Sequence, residues 1–153
     1  MSEPYPRFRM VDIGPKTEKH REAVATGRLR LREDTIELLR KKRIEKGDPL
    51  AAAEIAAIAA AKKTSELIPL CHQLQLTEVK ATGRIMKEHV AVEVTVKTTA
   101  KTGVEMEALT AATVYLLTVW DMTKQYEKDE TGQYPFTAIE DIRVVRKVKE
   151  DAR

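Results

Sequence analysis

The sequence has no asparagine, one cysteine and few aromatic residues, and each shortage excludes something. With Cys71 alone, no disulfide can form within the chain, which fits a reducing, cytoplasmic setting. Aromatics make up only 5%, and the stacking pattern of RNA-recognition sheets is missing. There is no apolar run long enough to span a bilayer, no signal peptide and no lipidation motif, so no membrane partner is expected. Glycine-rich phosphate loops, His/Cys metal clusters and a Ser-His-Asp order are also lacking. The absence of asparagine beside abundant Glu, Lys and Arg leans towards a thermophilic source.

What is present suits one domain. A chain of 153 residues can bury a respectable core. Net charge is +3 with 33% charged residues, a mild preference for anions that is too balanced for a dedicated nucleic-acid binder. Residues 1–9 read as a basic, flexible arm and residues 10–153 as the single domain.

Apolar residues alternate over residues 22–32, where Ala23, Ala25, Gly27, Leu29 and Leu31 share one side and Arg28, Arg30 and Arg32 the other. That is a strand with an arginine face, either solvated or turned to an anion. Residues 35–43 predict a short helix with Ile36, Leu39 and Ile44 inward. Asp48 then suits an N-cap and Pro49 a first helical position. An alanine-rich helix follows to about residue 67, ended by Pro69. Residues 74–85 and 89–99 predict a hairpin, and residues 139–148 a last strand. The order β-α-α-β-β-α-β makes an α+β protein, most simply a ferredoxin-like sheet of four antiparallel strands backed by helices.

The longest uninterrupted helical pattern covers residues 104–124, without Pro or Gly. Met106, Leu109, Thr113, Leu116 and Trp120 recur at helical spacing with Leu117 alongside. Ala108, Ala111, Ala112, Tyr115 and Val119 fill the other side. A helix apolar nearly all round is expected to be buried, inside the domain or between subunits. Asp121 falls about 40° short of four full turns from Glu107, and Lys124 lies in line with the apolar stripe. Charges there are costly unless paired or useful. Asp121 and Lys124 read either as an ordinary i,i+3 salt bridge or as working groups. Glu105 fits a capping box with Thr102. His72 follows Pro69-Leu70-Cys71 at a break where backbone can line a pocket, and Cys71 beside it is either a thiolate nucleophile or a buried, inert thiol. Lys46 precedes a helix N-terminus and either supplements its anion affinity or is simply solvated.

Several blocks occur together and in order. They are Met10-Val11-Asp12, Lys46-Gly47-Asp48, the run from Ala60 through Lys62-Lys63-Thr64-Ser65-Glu66-Leu67-Ile68-Pro69-Leu70-Cys71-His72, the run from Thr102 to Ala112, and Asp121-Met122-Thr123-Lys124. Over residues 10–148 the chain closely resembles the MoaC family of molybdenum-cofactor biosynthesis. The resemblance implies a lyase that turns 3′,8-cyclo-7,8-dihydroguanosine 5′-triphosphate into cyclic pyranopterin monophosphate and pyrophosphate. It implies a hexamer, a trimer of dimers, with sites at subunit interfaces. It implies no cofactor, with Mg²⁺ accompanying the triphosphate left open. Carried over by motif, Asp121 and Lys124 form the acid/base pair, and Lys46 and His72 complete the catalytic pocket. Leu70, Cys71, His72, Met106 and Glu107 line the substrate, with Glu105 in support. Lys16 and Arg21 hold the triphosphate from a neighbouring chain. The chain departs from the family pattern at Gln73-Leu74-Gln75, at Thr123 and in lacking a glycine-rich tail, while Tyr134-Pro135-Phe136 looks more like archaeal members. RNA binding through the arginine face and a purely regulatory ligand-binding module are the competing readings.

Overall fold

The computed structural model describes residues 2–4 and 8–152. The arm expected over residues 1–9 lies in part outside them. In chain order the elements are β1 (Lys19–Arg30), α1 (Glu33–Arg40), α2 (Pro49–Lys62), α3 (Thr64–Leu67), β2 (Glu78–Ile85), β3 (His89–Ala100), α4 (Glu105–Glu127) and β4 (Ala138–Asp151). One sheet holds all four strands in the order β2-β3-β1-β4, with every neighbouring pair antiparallel. This is the α+β, ferredoxin-like arrangement expected from the sequence.

Alternation dictates which face is covered. Ala23, Ala25 and Leu29 of β1 and Val90, Val92, Val94 and Val96 of β3 are buried and form one core with the helices. Removing these apolar side chains from water is the main stabilising term in the sheet. Asp48 caps α2 as expected, accepting from the Leu50 and Ala51 amides at 3.1 and 3.2 Å. The alanine-rich stretch is two helices, because the chain turns at Lys63 between α2 and α3.

Two expectations are corrected. Helix α4 buries Ala108, Ala111, Ala112, Tyr115, Leu116 and Val119, whereas Met106 and Leu117 of the expected stripe are exposed. Ala108, Ala111 and Ala112 let the helix lie close to the sheet and to Ala53, Ala57 and Ala61 of α2, and Tyr115 and Leu116 fill the core beside them. The approach is so close that a Cβ on Gly83 would sit 2.0 Å from the Tyr115 hydroxyl. The Thr102/Glu105 capping box does not form. Val104, fully buried, is the N-cap, so Glu105 is already in the first turn and faces Lys147 at 3.4 Å.

Of the two readings left open for the arginine face, the solvated one holds, because its charge is answered internally. Arg28 pairs with Glu140 at 3.0 Å and Asp141 at 3.3 Å. Arg30 pairs with Glu140 at 3.0 Å and lies over the Phe136 ring, and Arg32 reaches Asp34 at 3.7 Å. A solvated, ion-paired sheet face describes it, not one held open for a polyanion.

Candidate functional site

The singled-out residues gather at the two ends of α4. At its C-terminal end, Asp121 is exposed and meets two ammonium groups. Lys124 Nζ lies 3.0 Å from Asp121 Oδ1, and Lys46 Nζ lies 3.7 Å from Oδ2 while donating to the Asp121 carbonyl oxygen at 3.1 Å. Hydrogen bonding and charge from Lys124, then the charge of Lys46, hold the Asp121 carboxyl below its usual value. The same contact with Asp121 raises Lys124. At neutral pH this is a carboxylate between two ammonium ions. Trp120 packs edge-on against Tyr134, with ring centres 5.3 Å apart, beside this cluster.

At the N-terminal end, the turn after α3 folds over the first turns of α4. Leu70, Cys71, His72, Thr102, Glu105 and Met106 line a cavity of about 340 Å³. Behind Cys71, a wall residue, lies an unusual contact. Glu107 is only 3% exposed, and the partner found for its carboxylate is the Cys71 thiol, which donates to Oε2 at 3.7 Å. Burial raises the Glu107 pKa, its own backbone amide and the Cys71 thiol oppose that shift, and the charge of Glu105 adds to it. Burial and the neighbouring Glu107 together push the Cys71 thiol up to about 11. The nucleophile reading of Cys71 is thereby overturned, since a thiol this hard to ionise is a poor nucleophile at neutral pH.

His72 Nε2 lies 2.7 Å from the Val11 carbonyl oxygen, which can only accept, so Nε2 is the donor in this contact. Residues 11–16 lie against this same end, where Lys101 Nζ donates to the Gly14 carbonyl at 3.1 Å. Lys16 sits in the exposed turn after Gly14, and its amide donates to the Ile13 carbonyl at 3.0 Å. Arg21 is drawn inward. It is 9% exposed, donates to the Lys101 carbonyl at 3.2 Å, and leaves its Nε buried without a partner among the described residues.

Lys46, Asp121 and Lys124 are therefore one group. Leu70, Cys71, His72, Met106, Glu105 and Glu107 are a second, with Lys16 and Arg21 tied to the same end. The two groups do not meet. Fourteen residues of unbroken helix separate Glu107 from Asp121, about 21 Å at ~1.5 Å per residue.

Sequence reasoning missed the residues that fix these ends. Glu127, 1% exposed, accepts from the Arg32 amide at 3.2 Å and from the hydroxyls of Thr35 and Thr137. Glu45 is held by Gln125 and Tyr126. Only the adjacency of Glu45 to Lys46 signalled anything in the sequence. Among the described residues no group of three or more His, Cys, Asp or Glu is arranged to hold a metal ion, and no helix is long and apolar enough to cross a membrane.

Comparison with known proteins gives this geometry a context. The model of the MoaC family matches residues 10–150. A protein of Pyrococcus furiosus described as a probable cyclic pyranopterin monophosphate synthase is 53% identical over 143 residues, 94% of this chain and 92% of the relative. A Pyrococcus abyssi protein with the same description is 56% identical over 92% of this chain and 89% of its own. A Methanothermobacter thermautotrophicus protein, 55% identical over 92% of this chain and 89% of its own, is described as a probable accessory protein of that synthase. Matched along nearly its whole length by the family model and by relatives of similar size, the chain belongs to the MoaC family.

Proposed function

We propose that the chain is the lyase that forms cyclic pyranopterin monophosphate and pyrophosphate from 3′,8-cyclo-7,8-dihydroguanosine 5′-triphosphate, in the cytoplasm, as a step of molybdenum-cofactor biosynthesis. The observation that carries this reading is the convergence of Lys46 and Lys124 on the Asp121 carboxylate. Rebuilding a purine-derived ring as a pterin requires several proton transfers, hence a positioned base and acid. A carboxylate pinned between two ammonium ions is a weak base at rest. A triphosphate attracts both cations, and drawing them off Asp121 restores its basicity when substrate is bound. The contact with Asp121 also raises Lys124 and makes it a weaker acid at rest, so the separation that frees Asp121 is what lets Lys124 serve as the proton donor. When a sugar-derived hydroxyl attacks the first phosphorus and pyrophosphate leaves, Lys46 is placed to absorb the developing charge.

One small molecule cannot span both ends of α4 in one chain. We propose that His72, Glu107 and the cavity of one subunit face Lys46, Asp121 and Lys124 of another, within a hexamer built as a trimer of dimers. Exposed Met106 and Leu117 on the outward side of α4 support a contact there. In this arrangement Lys16 and Arg21 come from the subunit that supplies His72, and bound triphosphate gives the orphaned Arg21 Nε a partner within reach of modest rearrangement. No cofactor is invoked, and Mg²⁺ enters only with the triphosphate.

The test is pyrophosphate release from the cyclic dihydro-GTP intermediate by wild type, Asp121→Ala and Lys124→Ala. Wild-type turnover with both variants binding substrate but stalling, by about a hundredfold or more, supports the assignment. A wild type that binds the intermediate and releases nothing, with or without Mg²⁺, makes the chain a ligand-binding module instead.

A further inference from the structure

The loop that carries Lys46 is short, exposed and unusually well tied down. Ile44 anchors its start in the core. The Gly47 amide closes a tight turn on the Ile44 carbonyl at 3.1 Å, and Gly47 takes φ +116°, after which Asp48 caps α2. Glu45 and Lys46 occupy the corner of this turn, where amides ordinarily face water. The Glu45 amide instead donates to the Tyr126 hydroxyl at 2.9 Å, and Glu45 Oε2 accepts from Gln125 Nε2 at 2.9 Å. Both partners lie on α4 just beyond Lys124. The Tyr126 ring packs against the hydrophobic core, so its hydroxyl is a fixed point, unlike an exposed glutamine side chain. One turn earlier on the same helix, Lys46 meets Asp121.

We infer that Tyr126, with Gln125, acts through Glu45 as a latch that positions Lys46 against Asp121. These are positioning residues and do not touch substrate. The inference rests on the proposed role of Lys46. Its physical basis is that a lysine ends in a compact charge on a flexible four-carbon stem. Its ammonium is delivered reproducibly only if the backbone that carries it cannot wander. Here the loop is pinned to the same helix that carries Asp121 and Lys124, so the three groups move as one body. Because small misplacements of catalytic groups lower rates steeply, the latch should be visible in kcat.

The experiment combines Tyr126→Phe, which removes only the hydroxyl, with Lys46→Ala in a double-mutant cycle on the intact protein. Amide hydrogen exchange at Glu45 gives a readout independent of activity. Tyr126→Phe should speed exchange at Glu45, leave the melting temperature within a few degrees of wild type, and lower kcat about tenfold with little change in KM. Added to Lys46→Ala it should cost nothing further. Unchanged protection at Glu45, an unchanged kcat, or a kcat loss that persists in full beside Lys46→Ala overturns the latch. Wild-type turnover by Lys46→Ala, with Glu45 deprotected in Tyr126→Phe, overturns the catalytic role of Lys46 and leaves the Tyr126–Glu45 contact intact.

Discussion

Cys71 and His72 are neighbours in the chain with opposite prospects. His72 lines the cavity and is held by the Val11 carbonyl, whereas Cys71 shares its surroundings with a buried carboxyl. Below its unperturbed value of 9.0 the thiol is protonated both folded and unfolded. Between there and about 11 the unfolded chain releases its proton and the folded one keeps it, so stability falls as pH rises through that window. Alkylation of Cys71 by iodoacetamide should therefore be slow at pH 8, with about one thiol in a thousand ionised, and its rate should rise with a midpoint near 11. Glu107→Gln removes the neighbouring charge and should move that midpoint down; an unshifted midpoint would show that Glu107 does not govern the thiol. At this scale the sequence was informative where motifs are local. Asp121-Met122-Thr123-Lys124 announced a cluster, and Leu70-Cys71-His72 a cavity wall. Glu45, Tyr126 and Glu127 were silent, because their roles depend on segments distant in sequence meeting in space.

Helix α4 shows how far an element can be read from its pattern. Its extent and its interruption-free course were legible, and so were its neighbours in chain order. Which face it buries was not, since apolar residues surround it and the pattern alone ranks neither face above the other. Its start was misread because Thr102 and Glu105 have capping-box spacing, while burial of Val104 moves the helix start onward. Its end is secured by Glu127, whose carboxylate serves donors from the β1–α1 junction and from Thr137. Glu127→Ala would leave three donors without their acceptor, those of Thr35 and Thr137 being buried, and should cost ~3 kcal/mol or more. Urea unfolding checks this, and a midpoint equal to wild type would mean that water replaces the carboxylate without penalty. The same variant should loosen the turn bearing Lys124.

For the whole molecule, the proposed site requires one continuous helix to carry its two halves at opposite ends. Complementary inactive variants should therefore rescue each other. Lys124→Ala and His72→Ala, each with little activity alone, should regain up to about a quarter of wild-type turnover per site when unfolded and refolded together, because random pairing leaves some interfaces with both halves intact. Failure of the mixture to exceed its components would place the complete site within one chain. The sheet order carries a different kind of consequence, for the chain while it is being made. β1 leaves the ribosome first, yet both strands that flank it come later, β3 from residue 89 and β4 from residue 138. At roughly 5–20 residues per second, β1 spends seconds with both edges bare. Its apolar face, with Ala23, Ala25 and Leu29, is then open to any passing strand. A chaperone that shields this strand as it emerges would keep its edges from mispairing until β3 and β4 arrive.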